Sequence, residues 1–251
     1  MRKKMTYAEV IVDDCLKPAI ANLDEIKGKK LPVVLVANTH RVVIRIAELS
    51  GRDKRLSPMI QWRLVQDNYP LGPLLNEETH IFDGSVFENS TGRCCFMMAA
   101  LPKAVAESVG EMGTEHWGSA NKLVRLETIE HLLFRRYADA ASIVSNDEES
   151  IANKWIVFSQ DDGFRILHID DGLPQGAYYI SNHPEMRMGE LDQVWDAAKP
   201  SYVTILTRLP NKGEDDDSLD TPDPKEWSKY LWIWEFIQGK GVVVDYGELM
   251  L

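Results

Sequence analysis

The sequence predicts an α/β fold, and two segments carry most of that prediction. Residues 31–49 (LPVVLVANTHRVVIRIAEL) contain two β-branched runs around a short polar stretch, which is typical of two strands joined by a tight turn. Residues 95–109 (CFMMAALPKAVAESV) begin with six apolar residues without alternation, as expected for a strand buried on both faces. Pro102 then stands where the first turn of a helix needs no N–H donor, so this strand should lead directly into a helix.

Composition narrows the class of protein. The 251 residues are 44% hydrophobic, which is enough for one large domain or two small ones with a real core. The formal net charge of −11 makes a nucleic acid an improbable partner. The basic start MRKKM is not followed by an apolar signal core, and no apolar run reaches the roughly 18 residues of a membrane span. We therefore expect a cytoplasmic protein that meets a membrane only through a partner, and we expect its three cysteines to be reduced core residues.

The first half reads as alternating helices and strands. Apolar spacing near 3.6 residues predicts helices, and β-branched runs bounded by turn residues predict strands. The Asn89-Ser90-Thr91-Gly92 stretch has the composition of a hairpin turn. In chain order we predict a helix within 7–26, a hairpin of Val33–Val36 and Val42–Ile46, a helix at 57–65, a strand pair at 80–89 and 93–100, a helix at 103–111 and a longer helix at 122–137.

The second half has the clearest turn signals. The Asp-Gly dipeptides 162–163 and 171–172 separate three strand-like runs, which predicts a three-stranded meander. Farther along we predict a helix at 190–198, a strand at 201–209, a mobile polar loop at 211–226, an aromatic helix at 230–237 and a strand at 241–249.

The order of these elements predicts a particular architecture. Three antiparallel strands, helix, strand, helix and strand form the ribonuclease-H-like arrangement, and actin-like proteins are built from two such units. The exposed-looking Asp147-Glu148-Glu149-Ser150 stretch is the best boundary. We therefore predict two mixed-sheet units with flanking helices, a first actin-like subdomain with its connecting helix at 1–140 and a second, ribonuclease-H-like subdomain at 151–251.

The chain also resembles the PilM and GspL family, actin-like cytoplasmic proteins of type IV pilus and type II secretion machines. The resemblance runs from about residue 8 to 180 and depends on the order and spacing of several short pieces. These pieces are Leu31-Pro32-Val33-Val34, Gln61-Trp62-Arg63-Leu64, Asn68-Tyr69-Pro70-Leu71, His80-Ile81-Phe82-Asp83 and Ala99-Ala100-Leu101-Pro102-Lys103. The resemblance implies an actin-like fold and protein partners in an inner-membrane platform, with a second copy of the chain as a further candidate partner.

Two strand turns hold nucleotide phosphates in PilM-like proteins, and this chain departs from that pattern. From the resemblance we expect the first turn to lie before residue 1 of this sequence and the segment that covers adenosine to lie after residue 251. The second turn, residues 159–165 (SQDDGFR), lacks the Gly and Thr positions of such a loop, and its adjacent carboxylates would repel a triphosphate. We therefore expect a noncatalytic scaffold with no cofactor. The alternative is a diverged actin-like nucleotide-binding ATPase whose phosphates contact Asp162 and Gly163.

Catalytic and metal-binding patterns are poor. Glu127 and His131 are four residues apart, but we expect them on a solvated helix face. The aspartate pairs 161–162 and 170–171 fall at opposite ends of one predicted strand, so roughly 20 Å separates them and they cannot share a metal. We expect no catalytic, cofactor-binding or metal-ligating residues.

Four residues are candidates for partner binding. Arg41 and Arg45 are four residues apart, so in a strand both side chains would point to the same face. Because the rest of the chain is strongly acidic, we expect this face to be exposed and to bind an acidic segment of a partner. Local salt bridges to nearby carboxylates are the alternative. Trp232 and Trp234 lie on the aromatic helix, where core packing is the alternative to an interface.

Overall fold

A computed structural model gives the fold as two compact units, Met1–Leu132 with Leu251 and Leu133–Met250. The boundary predicted at 147–150 stays a prediction. The structure describes residues 8–13, 33–50, 60, 63, 75–76, 78–108, 111, 123–137, 153–159, 163–181, 188–207 and 231–248.

A parallel sheet forms one part of the first unit. Its strands are β1 (Ala8–Asp13), β2 (Val33–Asn38) and β6 (Leu123–Thr128), in the spatial order β1-β2-β6. Both neighbouring pairs are parallel. The central strand β2 is buried from Val34 to Asn38, which explains why its sequence is a continuous apolar run and not an alternating one.

An antiparallel sheet is inserted in the sequence between β2 and β6. It consists of β3 (Val43–Leu49), β4 (His80–Glu88) and β5 (Cys94–Pro102), with β5 in the centre. As predicted, β5 is buried along its length and is followed at once by a helical segment, residues 103–108. The predicted turn between β4 and β5 is also confirmed, because the Asn89 side chain accepts hydrogen bonds from the backbone N–H groups of Thr91 and Arg93.

Three sequence predictions for the first unit are wrong. Val33–Asn38 and Val43–Leu49 do not form a hairpin, because β2 pairs with β1 and β6 whereas β3 pairs with β5. The start of the predicted helix 7–26 is strand β1, and the rest lies outside the described residues. The predicted helix 122–137 is strand β6 followed by helix α1 (Ile129–Tyr137). Of the predicted helix 57–65, residues 60 and 63 are helical and the others lie outside the described residues.

The second unit follows the sequence prediction closely. Strands β7 (Asn153–Ser159), β8 (Gly163–Asp170) and β9 (Leu173–Ser181) form the predicted antiparallel meander. Asp171 and Gly172 turn the chain between β8 and β9 with φ angles of 50° and 71°. Two successive residues with positive φ are what a tight hairpin turn requires, and Asp-Gly provides them with little strain.

Helices and parallel strands complete this unit. They are α2 (Met188–Ala198), β10 (Tyr202–Thr207), α3 (Leu231–Gly239) and β11 (Val243–Glu248). The sheet order is β11-β10-β7-β8-β9, with β10 parallel to both neighbours. This is the ribonuclease-H-like order that the sequence predicts. The polar stretch 211–226 lies outside the described residues.

Both units share one topological feature. In each, three parallel strands lie side by side in the order in which they occur in the sequence, β1-β2-β6 in the first unit and β7-β10-β11 in the second. In the second unit the meander strand β8 extends the sheet from the other edge of β7.

The core of the second unit lies between its sheet and the helices α2 and α3. Trp195 of α2 contacts Trp155 of β7 edge to face, with ring centroids 4.9 Å apart, and Phe236 of α3 at 5.7 Å. A buried lysine forms a further contact within this unit: Lys154 Nζ donates a hydrogen bond of 2.9 Å to the backbone carbonyl of Tyr137, the last residue of α1. A cation at this position also complements the negative end of the helix dipole.

Candidate functional site

The carboxyl edge of the parallel sheet in the first unit gathers buried polar residues. Ala37 of β2 lies opposite Thr128 of β6, so the residues that follow both strands lie at the same edge. Ligands of open α/β sheets bind at the carboxyl ends of parallel strands. The described part of the chain has eight buried polar or charged residues, and six lie here: Asn38, Thr39, Glu127, Thr128, Glu130 and His131.

Local sequence explains how this edge is built. Thr128 precedes the first residue of α1, at the position where threonine caps helices. Its Oγ1 lies 2.9 Å from Nδ1 of His131 in the first helical turn. Glu130 in the same turn complements the positive end of the helix dipole. On the other strand, Thr39 Oγ1 accepts a hydrogen bond from the Arg41 backbone N–H and so fixes the turn that follows β2.

Burial determines the ionisation of the histidine at this edge. Desolvation lowers the pKa of His131 below its ordinary value, although the carboxylates of Asp83, Glu127 and Glu130 and the Met97 backbone act in the opposite direction. The ring also lies 6.4 Å from the Phe87 ring, centroid to centroid. The expectation that Glu127 and His131 occupy a solvated helix face is therefore wrong, since they are 3% and 2% exposed.

The edge combines hydroxyl, amide, carboxylate and imidazole groups, which could bind a polar ligand through hydrogen bonds. No three His, Cys, Asp or Glu residues in the described ranges are arranged to hold a metal ion. Sequence reasoning did not identify this cluster. The available signal was the placement of Asn38 and Thr39 directly after one apolar strand and of Glu127 and Thr128 at the end of another.

The turn after β7 is the candidate phosphate-binding turn, and the structure explains why it contains a glycine at position 163. A Cβ on Gly163 would lie within 3.0 Å of the Ile180 carbonyl oxygen and the Ser181 Cα, because β9 approaches closely there. Only glycine fits this position without a backbone shift. Asp161 and Asp162 lie outside the described residues.

The two candidate arginines do not share a strand face. Arg41 lies in the turn before β3, so the parity argument does not apply to it. It is exposed, whereas Arg45 is half-buried within β3 and donates a hydrogen bond of 3.2 Å to the Ile44 carbonyl. Partner binding by these residues stays a prediction.

The aromatic helix supports the packing alternative for one of its two tryptophans. Trp234 of α3 is half-buried and packs against the core of the second unit. The side chain of Trp232 lies outside the described residues. A role for either tryptophan at an interface stays a prediction. None of the described helices is long and apolar enough to cross a membrane.

No protein-family model and no curated protein sequence matches the chain. Solved structures do. One is a Bacteroides thetaiotaomicron protein with an actin-like ATPase fold and unknown function, with a TM-score of 0.51 and 11% identity over 97% of this chain and 92% of that one. Another is a chain of the PilM-PilN type IV pilus biogenesis complex, with a TM-score of 0.54 and 13% identity over 90% of this chain and 74% of that one.

A third similar structure is the cytoplasmic domain of EpsL, an inner-membrane component of the type II secretion system of Vibrio cholerae, with a TM-score of 0.45, 12% identity and coverage of 86% and 88%. The likeness to the PilM-PilN structure confirms, at the level of the fold, the PilM-like resemblance seen in the sequence. Together with the observed strand order, the first two likenesses show that this chain has the actin-like ATPase fold with ribonuclease-H-like topology.

Proposed function

We propose that the chain is a noncatalytic actin-like scaffold of a type IV pilus or type II secretion assembly platform. The observation that supports this most strongly is the likeness to the PilM-PilN complex over 90% of the chain. On this proposal the protein acts in the cytoplasm, is recruited to the inner face of the membrane by a platform protein of the PilN kind, and works by binding and not by chemistry.

The packing of Gly163 is consistent with the noncatalytic part of the proposal. The approach of β9 accounts for the glycine without any phosphate contact. The alternative, a diverged nucleotide-binding ATPase, is favoured by the buried carboxylates of Glu127 and Glu130 at an edge where α/β folds bind ligands.

Nucleotide binding separates these two functions. A ligand at 100 times its Kd adds about 2.7 kcal/mol to the stability of the folded state, which raises the melting temperature by several degrees. We expect no such rise with millimolar ATP or ADP and magnesium, and no release of phosphate. A nucleotide-dependent rise or measurable hydrolysis would establish the alternative, and Glu127→Gln and Glu130→Gln would then show which carboxylate is needed.

Partner binding is tested with the purified PilN homologue of the same genome by titration calorimetry. We propose that Arg41 and Arg45 contact an acidic segment of it, so Arg41→Glu with Arg45→Glu should weaken binding, and the wild-type affinity should fall with added salt.

Arg93→Glu is the matched control for this titration. Arg93 is also an exposed arginine, next to the antiparallel sheet in the turn before β5, and it forms a surface ion pair with Glu48 at 3.2 Å, whose loss should cost less than about 1 kcal/mol of stability. Arg93 lies near the end of β3 that is farther from Arg41. It directly precedes Cys94, which is paired with Leu49, and Leu49 lies about 20 Å along the strand from Val43. Equal affinity of the double variant and the control would refute docking at Arg41 and Arg45. Absence of any binding would refute the PilN-like partner.

A further inference from the structure

The imidazole of His131 is buried with half of its hydrogen-bonding capacity unused. The residue is 2% exposed, and Nδ1 lies 2.9 Å from Thr128 Oγ1. Nε2 has no hydrogen-bond partner among the described residues and no contact with solvent. A neutral imidazole tolerates this because only one weakly polar atom is unsatisfied, whereas an imidazolium would carry a buried N–H and a charge.

Groups from four elements face this ring. The carboxylates are Asp83 of β4, Glu127 of β6 and Glu130 of α1, and the Met97 backbone approaches from β5. All four favour the charged imidazole, but desolvation outweighs them.

An aromatic ring also lies near the imidazole, and the residue that carries it is paired with a cysteine on the neighbouring strand. Cys95 of β5 lies opposite Phe87 of β4, whose ring is 6.4 Å from that of His131. Burial raises the pKa of the Cys95 thiol to about 12, so it stays uncharged near neutrality. The ring is thus held between the start of α1 and the β4-β5 pair in its neutral form.

We propose that His131 is a pH-sensitive latch, which holds the first turn of α1 against β4 and β5 near neutral pH and releases it when the imidazole is protonated. The sign follows from linkage. A histidine in an open chain titrates near 6.5. Because burial lowers the pKa in the closed state, the open state binds the proton more tightly. The stabilisation is therefore complete above about pH 6.5 and is lost as the pH falls through the pKa of the closed state.

Hydrogen exchange of the full chain measures this opening directly. If opening is accompanied by the binding of one proton, the equilibrium constant for opening rises by at most about tenfold for each unit by which the pH falls. After correction for intrinsic exchange rates, we expect a peptide covering residues 127–137 to lose protection between pH 7.5 and 5.0, approaching that slope at the acid end. A peptide covering β10, which contains no histidine, should keep its protection.

Variants assign the effect to His131. His131→Leu should remove the pH dependence, and His131→Gln, which keeps a polar group beside Thr128, should do the same. His40→Asn, in the exposed turn after β2, should leave it unchanged. Undiminished pH dependence in His131→Leu or His131→Gln, or constant protection of residues 127–137 in the wild-type chain, would overturn the proposal.

A titration of the wild-type protein covers the case in which both variants fail to fold. The imidazole carbon signals of ¹³C-labelled histidine should show His131 titrating below 6.5, together with the loss of protection. A His131 signal that titrates at or above 6.5 would refute the latch.

Discussion

Gly84 in the edge strand β4 has no room for a side chain, and this permits a quantitative test of the antiparallel sheet. A Cβ built on Gly84 would lie within 3.0 Å of two ring atoms of Phe96, Cζ and Cε2. Phe96 is 2% exposed and belongs to the core of this sheet. Its ring therefore lies across the glycine of the neighbouring strand.

Gly84→Ala should destabilise the protein by about 1 kcal/mol. Overpacking a core costs about 1–3 kcal/mol, and the lower backbone entropy of alanine returns about 0.5–1 kcal/mol. In a Phe96→Leu background the shorter side chain leaves space, so the same alanine should be neutral or stabilising. The coupling free energy of the two changes should then be about 1–2 kcal/mol.

Urea unfolding read by pulsed hydrogen exchange reports on each unit separately, with peptides from β4-β5 and from β10. Gly189→Ala in α2 is the matched control, because among the described residues no side chain and no backbone outside its own helix lies within 4 Å of its added Cβ, and the change should stabilise by up to about 1 kcal/mol. Two results would show that the ring does not pack on Gly84 as described. One is a Gly84→Ala variant as stable as the wild type, and the other is an equal loss of stability on Gly84→Ala in the wild-type and Phe96→Leu backgrounds.

Three further predictions concern single side chains. Lys240 Nζ lies 2.9 Å from Asp192 Oδ1 and 4.5 Å from the Phe236 ring centroid, so Lys240→Met should cost about 1 kcal/mol in urea unfolding, and Lys240→Arg should cost less. Gly172 has a φ of 71°, so Gly172→Ala should lower stability by about 1–2 kcal/mol and Gly172→Asn by less; equal losses would argue against backbone strain as the cause. With a pKa of about 12, Cys95 has about one thiolate in 10⁴ at pH 8, so mass spectrometry should find it unmodified by iodoacetamide until urea unfolds the chain, and rapid labelling of the folded protein would contradict its burial.

The sequence was a good guide where turn chemistry is local. The Asp171-Gly172 turn fixes which runs pair in the meander, because both residues adopt the positive φ angles that a tight two-residue hairpin turn requires. After the meander, helices and strands alternate, and the residues between them are polar enough for each element to be recognised separately in the sequence. The whole order of the second unit was therefore predictable from short-range patterns.

The first unit was harder because its pairings are distant in the sequence. A β-branched run shows that a strand forms but not which strand pairs with it, so the runs on either side of Thr39 looked like a hairpin although they belong to two sheets. Apolar residues at 123, 126 and 129 fit a helix as well as a strand that continues into a helix. That error placed Glu127 and His131 at the surface and hid the polar cluster at the sheet edge.

The bond between Lys154 and the Tyr137 carbonyl affects how the protein can be dissected. The two residues lie on opposite sides of the predicted boundary at 147–150 but within one compact unit. A fragment that begins at residue 151 would retain the lysine and lose both the carbonyl that accepts its bond and the helix end that favours its charge. We therefore expect a fragment that starts upstream of Ile129 to be more soluble and better protected than one that starts at residue 151.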